Sequence, residues 1–473
     1  MDFQTTGDPF VDAGRIAARA IFAHRRLREP SKENWLQAID FAATNYQDKW
    51  QSKIDAVSLN GVVSHNANKK KARSVALKSF QELFANEEKG DDAIAGWCRG
   101  CGQQKFLFSG GRDILPLSGS GAFLNFHHGH ENGILLCAEC HAALFMLPFA
   151  VMQCGKNLAL LQTQTEALQS FWQKSTIEQN LTNLARGNSE GILRSPFTNV
   201  RNAFFALANA IISEWYAAQR TFEAQDLRLF YFTNFGASPE CEIYDLPATV
   251  FKFLWIVQNP NQPEIRSAWQ RFVRRHFRIK DAAYDEAHNS WLKTKGKDKG
   301  ELPEEDYKNH YNIIHGMLLG SRNILFMMFQ RKNRVNLVPI EIAKAYCLEV
   351  RLMKKERIDA VLNLADRVCE LVQKANAPKL IYPLESARVI YQFRAALLRL
   401  LKKNIAAGEQ TPLFTTEDYL HKLLPDGEPW TDARDLMLIR IYEKLHGFLQ
   451  GAEEKINEET VAIPVEDEED GSF

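Results

Sequence analysis

The sequence predicts an α+β chain: a mixed N-terminal domain with an inserted four-cysteine metal-binding module, followed by a C-terminal helical bundle. Three observations predict it. Two cysteine pairs, Cys98-x-x-Cys101 and Cys137-x-x-Cys140, lie close together in the first third of the chain. From about residue 160 to 260 short helical patterns mix with β-like runs. Beyond Pro339 apolar residues recur at three- and four-residue spacing, as in Leu362, Ala365, Val368, Cys369 and Val372.

At 473 residues the chain exceeds a single core and should divide into domains. The apolar share of 45% and charged share of 25% are those of a folded, water-soluble protein. No run reaches the length of a membrane span, so no membrane partner is expected. The opening MDFQTTGDPF lacks the basic-then-apolar layout of an export signal. A cytoplasmic location follows, and in that reducing compartment paired cysteines read as metal ligands rather than disulfides. Cys154, Cys241, Cys347 and Cys369 stand singly in apolar or helical surroundings and read as buried small hydrophobes. The net charge of zero conceals an asymmetry: residues 451–473 hold nine acids and one lysine, which leaves the first 450 residues at +8. A moderately basic body is compatible with a polyanionic partner.

In chain order, residues 1–94 form the first part of the large domain. Turn residues surround Gly7-Asp8-Pro9, and Asp12 is expected to open a helix ending near His24, Arg25 and Arg26. A second helix is expected over about 32–46. Lys69, Lys70, Lys71 and Arg73 form a basic cluster with no acid among them, a candidate nucleic-acid contact. The cysteine module occupies 95–145, with the second pair leading into an apolar helix. The mixed domain resumes over 146–335, with strands expected at 227–233 and 242–245 and a break at Asn259-Pro-Asn-Gln-Pro263. Residues 293–306 read as an exposed Lys/Gly-rich loop. Helices at 340–354, 356–373, 383–403 and 431–449 make the C-terminal bundle, 336–450, with the main boundary near 330–338. Residues 451–473 read as an acidic disordered tail.

The cysteine spacing carries the chemistry. A CxxC pair sets two thiolates on one tight turn, and a second pair after 35 intervening residues completes a tetrahedral shell. Trp97-Cys98-Arg99-Gly100-Cys101-Gly102 has the glycines a turn needs to aim its amides at sulfur. Four thiolates also suit an iron–sulfur cluster, and one CxxC pair suits redox chemistry. The reading taken is a structural Zn2+ held by Cys98, Cys101, Cys137 and Cys140.

His127, His128, His130 and His141 crowd the same segment. Zinc-stapled HNH-type nucleases also flank a histidine-bearing unit with CxxC pairs, the second ending in Cys-x-x-Cys-His, as Cys137-Ala-Glu-Cys140-His141 does here. In such an enzyme one histidine activates water and another holds a catalytic metal. Asn132 lies four residues beyond His128, too few for that family's strand-turn geometry, and no Asp adjoins the His pair. This nuclease is the alternative reading.

The sharper nucleic-acid signal is the basic helix expected over 265–280. Arg271, Arg274, Arg275 and Arg278 fall at i, i+3, i+4 and i+7, on one helical face. Trp269, Phe272, Val273, His276 and Phe277 flank and oppose them. Clustered guanidiniums without interleaved acids repel one another, and a phosphate backbone would offset that repulsion. No Walker loop, H-E-x-x-H or G-x-S-x-G occurs, which points away from an enzyme.

The opening Gly7-Asp8-Pro9-Phe10-Val11-Asp12-x-Gly14, followed by the two cysteine pairs, resembles the CXXC–CXXC family of CRISPR-associated large subunits of type I-B Cascade surveillance complexes. The resemblance covers roughly residues 5–145. It implies a non-catalytic subunit that reads the protospacer-adjacent motif on duplex DNA and stabilises the R-loop in antiviral defence. Its implied partners are crRNA, target DNA, the backbone, crRNA-end and small subunits, and a recruited helicase-nuclease. Base pairing supplies long sequence specificity in RNA-guided complexes while protein reads the short duplex motif. The C-terminal bundle is implied to act as a small-subunit-like module along the displaced or target strand. Family residues carry over at Gly7, Asp8, Pro9, Phe10, Asp12, Gly14 and the four cysteines.

Overall fold

The structure is a computed structural model that describes residues 5–22, 30–55, 57, 61, 68, 70–111, 115, 133–188, 190–233, 240–295 and 300–457, with only the backbone described at 51, 52 and 450–457. The chain is mixed α+β, with a four-cysteine cluster and a C-terminal helical region. It divides into two compact units. The first comprises Met1–Phe251 and Phe277–Leu319, the second Lys252–His276 and Gly320–Phe473. The boundary expected near 330–338 falls inside the second unit, because residues 252–276 already contribute to it. Among the described residues no helix is long and apolar enough to cross a membrane.

Helix α1 (Pro9–Ile21) starts a turn earlier than Asp12. Asp8 is the reason: its Oδ1 accepts from Phe10 N at 2.9 Å and Val11 N at 3.0 Å, and Pro9 at the first helical position has no N–H to leave unpaired. Asp12 is buried and accepts from both Thr6 N and Thr6 Oγ1 at 2.8 Å, which fixes the strand entering the helix. His24, Arg25 and Arg26 lie outside the described residues. Helix α2 (Lys32–Asn45) opens on a Ser31 capping box, and α3 (Ala72–Lys89) stops at Gly90, whose φ of 75° is left-handed.

Strands β1 (Ile94–Trp97), β2 (Gln104–Gly110) and β3 (Ile134–Leu136) form one antiparallel sheet in that order, and β3 runs into α4 (Ala138–Met146). Strands β4 (Met152–Cys154) and β5 (Asn157–Leu161) begin a second sheet. After α5 (Glu166–Trp172), α6 (Glu178–Ala185) and α7 (Val200–Ala217), it is completed by β6 (Leu227–Thr233) and β7 (Glu240–Leu246), in the order β4-β5-β6-β7. The two strands expected from sequence are therefore present. Cys241 corrects one expectation: it is exposed, because β7 is an edge strand whose residues face solvent until Leu246. The core around α1, α2 and α4 is aromatic: Tyr46 stacks on Phe149 at 5.0 Å, and its hydroxyl donates to Phe145 O at 3.0 Å. Phe10 of α1 meets Phe232 of β6 edge-on at 5.1 Å.

Helix α8 (Ala248–Val257) is followed by α9 (Pro263–Arg275) in the second unit. The first unit then takes β8 (Ala282–Asp285), β9 (Ser290–Lys293) and β10 (Glu301–Leu302), an antiparallel sheet, with α10 (Glu304–Tyr307) and α11 (Ile313–Leu319). The loop expected over 293–306 thus contains strand and helix residues. The second unit continues with the β11 (Phe329–Gln330) and β12 (Val335–Asn336) hairpin and α12 (Ile340–Glu349), α13 (Lys355–Lys374), α14 (Tyr382–Ser386), α15 (Ile390–Ala406), α16 (Thr416–Asp418) and α17 (Trp430–Asn457). The helix expected over 383–403 is broken at Ala387, which is extended. The segment read as tail from residue 451 begins as the last turns of α17.

Candidate metal centre

The first cysteine pair is the tip of the β1–β2 hairpin. Trp97 pairs with Gln104, and the turn closes through Cys98 N donating to Gln103 O and Gly102 N to Cys98 O, both at 2.8 Å. Gly102 has φ 67°, a conformation that costs a side-chain-bearing residue more than glycine. The second pair straddles the start of α4: Cys137 is its N-cap residue and Cys140 lies one turn in. Arg99 N donates to Leu135 O at 3.0 Å and so ties the knuckle to β3.

This folding brings all four sulfurs within 4.8 Å of one another. Cys98 Sγ and Cys140 Sγ are 3.7 Å apart, and Cys101 Sγ and Cys137 Sγ 3.8 Å. Thiolates about 2.3 Å from a tetrahedral metal stand about 3.8 Å from each other, so the four could share one ion. Cys98, Cys137 and Cys140 are buried and Cys101 is half-buried.

Protonation is shared unevenly among the four sulfurs. Side-chain contacts with Cys101, Cys137 and Cys140, and the Cys137 N–H that donates to Cys98 Sγ at 3.3 Å, hold the Cys98 thiol far below its ordinary range. Cys101 is lowered to about 7, chiefly by Cys137 and Cys140. The same neighbours, Cys101 first, push Cys137 and Cys140 up, since four clustered thiols cannot all ionise without a cation among them.

Two glycines fit the module to α1. A Cβ on Gly14 would stand 1.8 Å from Ala143 O in α4. A Cβ on Gly100 would lie 3.1 Å from Cys140 Sγ and 3.2 Å from both Leu136 Cδ2 and Val11 Cγ2. Sequence reasoning missed Glu87, whose Oε1 accepts from Ala138 N at 3.1 Å and supports the positive end of α4. Burial raises the Glu87 carboxyl above its usual range. Glu87 lies far upstream on α3, and no cysteine spacing points to it. Trp97, 65% exposed beside Cys98, was legible only as a neighbour of the pair.

Of the four histidines, His141 alone is among the described residues. His141 is buried, with a ring nitrogen 3.3 Å from Phe108 O. His127, His128, His130 and Asn132 lie outside the described residues.

The basic helix is corrected. Helix α9 ends at Arg275, where His276 Nδ1 lies 2.6 Å from Phe272 O, so Arg278 is not its last turn. Arg278 N donates instead to Tyr311 O at 2.8 Å, and its guanidinium lies over the Tyr311 ring. Arg271 is exposed, while Arg274 and Arg275 are half-buried and engaged. Lys70 and Lys71 are exposed just before α3. Arg73 is held bidentately by Asp40 of α2 at 2.6 and 2.9 Å, a partner invisible in the local sequence. Lys69 lies outside the described residues.

Fold and site together define a mixed α+β protein with a four-cysteine cluster whose sulfurs lie within ligand range of one shared ion. No protein-family model, curated protein or solved structure matches the chain.

Proposed function

We propose that this protein is the non-catalytic large subunit of a type I-B CRISPR RNA-guided surveillance complex, and that its four cysteines hold a structural zinc. In this reading it binds target DNA beside crRNA and sister subunits, contributes to protospacer-adjacent motif recognition and the R-loop, and works with a separate helicase-nuclease. The observation that supports it is the convergence of the two motifs on which the resemblance rests. Gly14 of the opening lies against Ala143 of α4, and Val11 lies against Gly100 of the first cysteine turn. Residues about 90 and about 130 positions apart in sequence are thus parts of one packed module. Zinc is favoured over redox chemistry because three of the four sulfurs are buried and all four are mutually within ligand range.

The nuclease alternative draws less support. His141, which continues the second cysteine motif, is buried with a ring nitrogen 3.3 Å from the main-chain carbonyl of Phe108.

The test is recovery of the tagged full chain from its native cell, with metal content and bound nucleic acid measured on the same sample. Recovery of crRNA and sister subunits with about one zinc per chain is the expected result. Zinc-bearing protein recovered without RNA, and cleaving DNA when divalent metal is added, would overturn the proposal.

A further inference from the structure

Helix α15 is clean in its division of faces. Phe393, Ala396, Leu397, Leu400 and Asn404 are buried in the second unit. Tyr391, Leu398 and Ile405, spaced by seven, are 68%, 51% and 65% exposed. A seven-residue spacing returns to nearly the same side of a helix, so these three form a single outward stripe. Exposed cations flank it: Arg394 and Lys402 lie within about 40° of the stripe at 100° per residue, Arg399 stands about 100° round, Lys403 is exposed on the far side, and Arg388 stands just before the helix. The helix has no acidic residue, and none of these five side chains has an ion-pair partner among the described residues. Apolar side chains and unpaired cations in a single exposed stripe cost stability unless something covers them.

The same chain holds the complement. Residues 458–473 carry seven acids and no Lys or Arg, and they enclose the apolar run Val461-Ala-Ile-Pro-Val465 ahead of Glu466-Asp-Glu-Glu-Asp470. They follow α17, which belongs to the same unit as α15. The exit lies at the right end. Arg357–Glu428 and Arg440–Asp366 pairs run α17 parallel to α13, and the C-terminal Lys374 of α13 pairs with Glu409, just past the end of α15. Sixteen extended residues reach roughly 50 Å, about twice the length of a 17-residue helix.

We propose that the acidic segment 458–473 docks on the outward face of α15, its Val461–Val465 run against Tyr391, Leu398 and Ile405 and its acids against Arg394, Arg399 and Lys402. The contact shields a polyanion-attracting face within its own chain. Any other polyanion must displace the segment to reach it. Because its effective concentration is intramolecular, a weak contact suffices to keep the face covered.

Carbodiimide cross-linking of the full-length protein tests this, since the reagent joins only carboxylates and amines already in contact. Peptide mapping of the monomer fraction should show residues 466–470 joined to Lys402 in preference to Lys403, on the far side of the same helix, and Lys379, an exposed lysine of the same unit. An Arg394→Glu, Arg399→Glu double variant leaves the reporter lysine in place and should cut that yield several-fold, as should salt near 1 M, where the Debye length is about 3 Å. Both changes are at exposed sites, and an unchanged melting profile would verify folding. Equal cross-linking to all exposed lysines, or cross-links confined to dimers, would overturn the proposal. The experiment needs no nucleic acid, so its failure leaves the surveillance-complex reading untouched, and the reverse also holds.

Discussion

Gly14 lies in the middle of α1, where glycine ordinarily costs about 1 kcal/mol against alanine. Gly14→Ala should therefore stabilise the helix, yet the added carbon would stand 1.8 Å from Ala143 O, a backbone atom that cannot swing aside. The close approach decides the sign. The variant is expected to lose roughly 1–3 kcal/mol, an overpacking penalty, in urea unfolding. His315 offers a second residue-scale test. It stacks on Phe205 at 4.1 Å, and its Nδ1–H donates to Asn202 Oδ1 at 2.9 Å while Asn202 Nδ2 donates to Lys308 O and His310 O. Burial lowers its pKa from 6.5 to about 3. Between those values the unfolded chain takes up a proton that the folded chain refuses. Stability from this group is thus whole above pH 6.5 and falls as pH drops, by up to about 1.4 kcal/mol per unit. His315→Gln should flatten the fall in unfolding free energy between pH 7 and 5. An identical slope in both proteins would show that the acid sensitivity lies elsewhere.

At the scale of elements, the cysteine module was the most legible part of the chain, because a CxxC spacing is itself a local geometry. What lies against it was not legible. The opening motif reads as a capped helix start, and nothing in its spacing announces that Gly14 and Val11 abut α4 and the Gly100 turn. The basic helix failed for the opposite reason. Periodicity placed Arg278 at i+7, but tertiary contacts end α9 at Arg275 and give the Arg278 N–H to Tyr311. Arg73 likewise belongs to Asp40, 33 residues away. The weight of the proposed ion in the module can be measured. Cys98 and Cys140 join the hairpin tip to the first turn of α4, beside the Arg99 N–H bond to Leu135 O and the Cys137 N–H contact to Cys98 Sγ. Cys98→Ser, or removal of the metal by a strong chelator, is expected to cost more than about 3 kcal/mol. Differential hydrogen exchange should localise the loss to β1, the turn, the start of α4 and the facing side of α1. Exchange unchanged on α1 would mean that the helix is held without the module.

For the whole molecule, the sequence suggested a chain cut once, near 330–338, into a mixed domain and a separate bundle. The chain instead passes between its two units at 251/252, 276/277 and 319/320. Single-sequence patterns miss this, because hydrophobic periodicity shows that α8 and α9 have buried faces but not which core receives them. The side chains answer: Phe253 meets Trp269 at 5.0 Å and Tyr346 at 5.5 Å, and all three are 2% exposed or less. The C-terminal helices therefore share a core with residues that precede them by some 80 positions. This bears on whether the bundle could also exist as a separate small product started at an internal methionine. Met353 is 1% exposed, and a chain beginning there lacks α8, α9 and α12, and with them the Phe253, Trp269 and Tyr346 cluster. A 353–473 fragment is expected to keep helical far-UV dichroism while binding a hydrophobic dye and unfolding without a sharp transition. Adding a 252–276 peptide, which restores Phe253 and Trp269 but not Tyr346, should not rescue it, whereas a 320–473 fragment given that peptide should regain a cooperative transition. A sharp transition in the 353–473 fragment alone would make it an autonomous domain, and the shared core would then be an accessory to the bundle rather than its condition.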